Sequence, residues 1–200
     1  SIRLDDPKLN RTLEKLQQAR KNRNPTIISR LNEFGISITL DEVRKEAGAG
    51  QLGRPHIAKL MVKKGAVASI DEAFDRFLGN GKPAYVDKQR VDCFKAIEII
   101  LNAGGVPVLA HPGLLDYNNE NQFDELIGNL KKAGIQGLEV YYSEHTPDQT
   151  RLFAELAHRH GLLMTGGSDF HGDIQPETEM GSGKGDLIVP YELFEKLIQH

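Results

Sequence analysis

The spacing of apolar residues predicts two regions with different rhythms, a helical subdomain over 1–85 and an α/β portion over 86–200. In the first, Leu9, Leu13 and Leu16, then Ile27, Ile28 and Leu31, recur at helical spacing. The expected helix is interrupted at Pro25, because proline lacks the donor for the helical ladder, and ends through Gly35. Thr39 and Glu42 stand three apart before an apolar position, the arrangement of a reciprocal N-terminal cap, and Ser69 and Glu72 repeat it ahead of a helix reaching Leu78. Between them, Gly48, Gly50 and Gly53 predict a flexible loop, followed by a helix from His56 to Lys64 that stops at Gly65. Residues 79–83 read as a turn.

The second region alternates. Helices are expected over 92–103, 122–133 and 147–160, each closed by glycine, and strands over 106–110, 137–142 and 162–165. Helix, glycine stop and strand in repetition is the pattern of a parallel α/β sheet or barrel. Three such strands cannot close a barrel, so the chain is expected to start inside a larger domain. Cys93 falls in an apolar helical pattern and is expected in the core.

Composition narrows the function classes. A net charge of −3 with 25 Lys and Arg against 28 Asp and Glu argues against a large nucleic-acid surface, which needs clustered cations. It leaves room for a short nucleotide or an RNA end. One cysteine excludes an intrachain disulfide and a zinc–thiolate cluster. No apolar run has the length of a membrane span and no secretory signal is evident, so a cytoplasmic protein is expected.

Polar residues gather after the predicted strands, where α/β folds build their sites. His111 follows the first strand, Ser143-Glu144-His145 the second, and Ser168-Asp169-Phe170-His171 the third. Asp169 and His171 are two apart, so in extended backbone both side chains share a face and can offer a carboxylate and an imidazole to one metal cluster. That donor pair suits zinc, manganese or iron. Taken singly, each of these residues fits an ordinary surface loop better than a ligand, and it is their joint place at strand ends that brings the two readings level. Gly53-Arg54-Pro55-His56 opens a helix and presents free N–H groups, a guanidinium and an imidazole to an anion. The alternative is a plain loop-to-helix junction with Arg54 paired to a carboxylate. Lys184 lies in a glycine-rich run without Walker spacing, either a linker or a mobile loop that brings a cation to phosphate. Tyr141 and His145 are second-tier candidates by their place after the middle strand, and no residue is assigned as a catalytic acid or base. His158 and His160, two apart at a helix end, read as surface or helix-dipole residues.

Residues 53–58, Ala110-His111-Pro112-Gly113, Gly137–Tyr142 and Gly167-Ser168-Asp169-Phe170-His171-Gly172 occur in an order that resembles the PHP family of metal-dependent phosphoesterases. The similarity extends over nearly the whole chain and is strongest to the branch acting on nucleoside 3′,5′-bisphosphates and trimming RNA from the 5′ end. It implies the C-terminal portion of a distorted seven-stranded β/α barrel, interrupted by a helical insertion that carries Arg54 and His56. It implies up to three divalent ions (Mn, Zn or Fe), with His111, Asp169 and His171 each on a different one, and Arg54 and His56 on a substrate phosphate. The family's leading His-x-His strand and the further ligands after it have no counterpart here. The implied metal sites are therefore incomplete in this chain, which alone is expected to bind metal weakly or not at all and to be inactive. The implied reaction of the parent enzyme is metal-assisted phosphoester hydrolysis on a phosphorylated small molecule or short RNA end. Another PHP chemistry, such as a histidinol-phosphate phosphatase, or a metal-free interaction domain, are the competing readings.

Overall fold

A computed structural model of the chain describes residues 2–48, 52–172 and 175–200. Gly50 of the predicted loop lies outside these residues. The chain forms two compact units, one from residues 11–90 and one from residues 1–10 together with 91–200.

The 11–90 unit is helical. Helix α1 (Pro7–Glu33) is continuous, and Pro25 lies inside it without ending it. Burial of Ile27, Ile28 and Leu31 on one face offsets the hydrogen bond that Pro25 cannot donate. Helix α2 (Leu40–Ala47) has the predicted reciprocal cap, with Thr39 and Glu42 bonding each other's backbone N–H. Helix α3 (Arg54–Lys63) begins two residues earlier than expected. Helix α4 (Ile70–Ala73) runs into a π turn over Phe74–Leu78. Its cap is only half the predicted box: Ser69 Oγ accepts from the Glu72 N–H, but the Glu72 carboxylate takes the N–H of Ala68. The core of this unit is Ile27, Leu31, Ile38, Val43, Ile57, Met61 and Leu78 with their neighbours.

The other unit carries the sheet. After helix α5 (Cys93–Asn102), strand β1 is only Val108–Leu109. A 3₁₀ turn (Pro112–Leu114), helix α6 (Glu120–Lys132), strand β2 (Gly137–Tyr142), helix α7 (Pro147–Arg159) and strand β3 (Leu163–Gly167) follow. Helix α8 (Tyr191–Gln199) closes the chain and had no counterpart in the sequence reading. The three strands are parallel in the order β1-β2-β3. The result is a small parallel α/β sheet. Asn119 caps α6 by accepting from the Gln122 N–H, which starts that helix two residues ahead of its predicted position. Cys93 is exposed rather than in the core, because it occupies the first turn of α5 ahead of the buried Ile97 and Ile99.

The β2–β3 register slips between Glu139 and Tyr141, so Thr165 opposes Glu139 while Gly166 opposes Tyr141. Such a bulge inserts one residue and reverses the facing of those after it. Gly166 is required there, since a Cβ would lie 2.6 Å from both Cβ and the carbonyl oxygen of Tyr141. Among the described residues no helix is long and apolar enough to cross a membrane.

Candidate metal and phosphate site

The C-terminal ends of β1, β2 and β3 bring His111, Glu139, Tyr142 and Asp169 together. His111 and Asp169 are the non-glycine residues with positive φ among the described ones, at 31° and 53°. The left-handed region costs an L residue about 1–2 kcal/mol, and Asp and His are among the side chains that bear it most often. Each leaves its strand end in a sharp turn, and neighbours hold the turn in place. The His111 N–H donates to Glu139 Oε2 at 2.6 Å, and the Ser143 hydroxyl bonds the Ser168 carbonyl at 2.8 Å beside Asp169.

Tyr142 joins the two turns. Its hydroxyl donates to Asp169 Oδ2 at 3.3 Å, and its ring lies 5.8 Å from that of His111. Burial, then the charges of Asp169 and Glu144, push its pKa up to about 12, so it remains a proton donor at any ordinary pH. The bulge explains why Tyr142 and not Tyr141 reaches Asp169. Period-two alternation groups Glu139 with Tyr141, but the inserted residue brings Tyr142 to the side of Glu139 instead, while Tyr141 packs against the core. Tyr141 also lines a cavity of about 230 Å³ with Ser143, Thr150 and Leu187. Sequence reasoning missed Glu139 and Tyr142. The available signal was a lone carboxylate inside an otherwise apolar and aromatic strand.

The histidines differ in what they can offer. His171 is exposed, and its Nδ1 donates to the Asp169 carbonyl at 2.6 Å. A carbonyl only accepts, so the proton is on Nδ1 and the Nε2 lone pair is open, the orientation a metal-binding imidazole needs. His145 has neither nitrogen open: Nδ1 donates to the Val140 carbonyl at 2.9 Å and Nε2 accepts from the Gly113 N–H at 3.3 Å. It packs between Tyr142 and Phe153 and supports the turn that follows His111. Gly113 leaves room for it, since a Cβ there would sit 2.8 Å from the imidazole. His160 pairs with Asp124 through Nε2 at 2.5 Å, away from these strand ends. Lys184 is held by Glu144 at 3.4 Å.

Burial holds the His145 pKa below its ordinary value, outweighing the Val140 bond and Glu139. In the unfolded chain the group titrates at about 6.5. As pH falls the unfolded state therefore takes up the proton first. Stability from this group is complete above that value and is lost as pH falls through the depressed folded value. Urea midpoints are expected to drop between about pH 7.5 and 5, and to drop less in His145→Gln. An equal drop in both would remove His145 as the cause.

In the 11–90 unit, Arg54 Nη1 donates to the Leu78 carbonyl at 2.7 Å, and its guanidinium lies over the rings of Tyr85 (5.2 Å) and Phe74 (5.7 Å). These partners are neutral, so the charge is positioned but not cancelled. His56 Nδ1 accepts from the Gly53 N–H at 3.2 Å, which leaves Nε2–H as a donor in the neutral ring.

The donors at the strand ends fit a divalent ion in part. An open imidazole nitrogen and a carboxylate suit a transition metal. Among the described residues no group of three or more His, Cys, Asp or Glu converges on one metal position.

These features agree with the comparisons. The chain is 33% identical over 177 residues to a 3′,5′-nucleoside bisphosphate phosphatase of Chromobacterium violaceum, covering 88% of this chain and 62% of that protein. It is 35% identical over 166 residues to a 5′-3′ exoribonuclease of Haemophilus influenzae, covering 82% and 60%. Its structure superposes with a TM-score of 0.78 on an amidohydrolase from Chromobacterium violaceum with bound sulfate and no metal, at 30% identity over 99% of this chain and 69% of the other. It superposes with a TM-score of 0.80 on a protein from Bifidobacterium adolescentis assigned as a metal-dependent phosphoesterase, at 27% identity over 99% and 68%. No family profile matches the chain. The chain is thus similar in sequence to a nucleotide phosphatase and an exoribonuclease, and in structure to PHP-type metal-dependent phosphoesterases. It spans about three fifths of the length of the curated relatives it matches.

Proposed function

We propose that the protein carrying this chain hydrolyses phosphoesters of a nucleotide or a short RNA 5′ end in a divalent-metal-dependent reaction. The observation that carries this reading is the coincidence of strain and chemistry. The two non-glycine residues with positive φ among those described, His111 and Asp169, are two of the three that the motif order assigns to metal, and each stands at a strand C-terminal end. Strained backbone concentrates where function needs it.

His111, Asp169 and His171 would hold divalent ions, manganese, zinc or iron, up to three in the whole protein. A divalent ion in such a setting lowers the pKa of water and neutralises phosphoryl oxygens. The chain's own residues do the rest. Asp169 presents a carboxylate whose second oxygen is fixed by the Tyr142 hydroxyl. His171 keeps its Nε2 lone pair outward because Nδ1 is bonded to backbone. Arg54 and His56 bind a substrate phosphate through the guanidinium and the Nε2–H. The sheet β1-β2-β3 would be part of a seven-stranded β/α barrel, with the helical subdomain expected over 1–85 starting instead after residues 1–10, which fold with 91–200, and the protein cytoplasmic. The printed activities of the nucleoside bisphosphate phosphatase and the exoribonuclease support the substrate class.

The test is turnover of a nucleoside 3′,5′-bisphosphate and of a 5′-phosphorylated oligoribonucleotide by the native protein. Phosphate release is expected in manganese, is abolished by EDTA and returns on adding metal. Turnover indifferent to chelation would overturn the reading.

A further inference from the structure

In the helical unit, the core-facing stripe of α1 changes character one turn before Ile27. Arg23 and Asn24 take the buried positions there, and Arg20 continues the same face. Arg23 is only 7% exposed, and its Nε is fully buried with no hydrogen-bond partner among the described residues. Buried guanidinium groups are ordinarily paired with a carboxylate, because an unpaired buried charge is costly. Here the neighbours are cations: the Asn24 amide donates to the Leu52 carbonyl at 3.3 Å, which holds this turn of α1 against the start of α3 at Arg54, and Arg20 lies one turn back on the same helix. Lys88, on the surface nearby, feels Arg54, Arg23, Arg20 and Arg90.

The acidic groups close in sequence to Lys88 are already engaged: Asp87 accepts from the Tyr85 hydroxyl at 3.0 Å, and Asp92 accepts from the N–H groups of Phe94 and Lys95. Tyr85 in turn receives Arg30 on its carbonyl and Arg54 on its ring face. Its ring therefore positions Arg54 without neutralising it. Desolvation first, and the like charges second, hold both Arg23 and Lys88 below their ordinary pKa values. Such an assembly opposes folding unless something negative completes it. Buried polar groups without partners call for a ligand, an ion or a strain account.

We infer that Arg23, Arg20, Arg54 and Lys88 form a binding site for a phosphate dianion, with the buried Arg23 as its floor. The site deepens the reading of Arg54 and His56 as phosphate-binding residues and rests on it. It adds Arg23 and Lys88, which no motif marks. Guanidinium forks suit the tetrahedral oxygens of phosphate.

The site can be tested without metal or turnover, so its failure is distinguishable from failure of the hydrolase reading. Calorimetric titration of the native protein in EDTA would use inorganic phosphate, a nucleoside 3′,5′-bisphosphate and the unphosphorylated nucleoside. Phosphate and the bisphosphate are expected to bind, the nucleoside not. Arg23→Met is expected to weaken phosphate about tenfold or more, as loss of a charged fork does. The same variant is expected to keep or raise the melting temperature without phosphate, because it replaces an unpaired buried charge by an apolar chain of similar length. It should also lose the upward shift that phosphate gives the unaltered chain. Lys88→Gln, on the surface, is expected to weaken phosphate about threefold with no change in fold, and it decides the matter if Arg23→Met does not fold cooperatively. Phosphate affinity unchanged in these variants, or nucleoside binding equal to bisphosphate binding, would overturn the site.

Discussion

Asp169→Asn in the native protein is expected to lower metal-dependent phosphate release about a thousandfold, while leaving the melting temperature nearly unchanged. Asn keeps the shape of the side chain and is among the residues that tolerate the left-handed backbone that Asp169 adopts at φ 53°. It can still accept from the Tyr142 hydroxyl, which reaches Asp169 at 3.3 Å. What it removes is the negative charge. A thousandfold corresponds to about 4 kcal/mol, the scale of stabilisation that a well-placed divalent ion gives a phosphoryl transition state. Steady-state assays at saturating manganese check the expectation, with metal content measured on the same samples. His111→Asn is the matching variant at the other strained turn, where alanine would add backbone strain to loss of the imidazole. Wild-type turnover in Asp169→Asn would remove Asp169 from the metal site.

The sheet and the strand-end residues were legible in the sequence because they follow from local rules. Glycine stops at Gly104, Gly134 and Gly161 divide helix from strand, and the residues just past each strand are where α/β sites form. What escaped was set by partners distant along the chain. Strand β1 keeps only Val108–Leu109 because Pro107 lacks an N–H and its carbonyl is taken by Gln136 and Gly137. Helix α1 survives Pro25 because the apolar face beyond it is buried. The bulge after Glu139 reversed which tyrosine meets Asp169, and no period-two argument contains that information. His145 reads as a second-tier site candidate by position, but its nitrogens are bonded to Val140 and Gly113. The sequence alternative of a carboxylate for Arg54 also gives way, since its partners are the Leu78 carbonyl and two aromatic faces.

Phe153→Ala is expected to cost the α/β unit about 3–5 kcal/mol, the range for removing a large aromatic side chain from a packed interior. Phe153 is fully buried and stands in the middle of a run of ring contacts. Tyr117 meets Phe123 at 4.7 Å, Phe123 meets Phe153 at 5.3 Å, and Phe153 meets His145 at 4.8 Å. His145 then meets Tyr142 at 5.0 Å, and Tyr142 meets His111 at 5.8 Å. The rings thus connect the core to the strained turn at His111. Truncating Phe153 opens a cavity under His145 and admits water beside it. Because burial is the first cause of the low His145 pKa, that pKa is expected to rise toward its ordinary value. Phe153→Leu keeps most of the volume and is expected to cost about 1.5 kcal/mol or less. Urea unfolding followed by circular dichroism measures the two losses, and a proton NMR titration of the imidazole measures the pKa. A cost below about 1 kcal/mol for Phe153→Ala, with His145 titrating as before, would show that the core and the strand-end turn are independent.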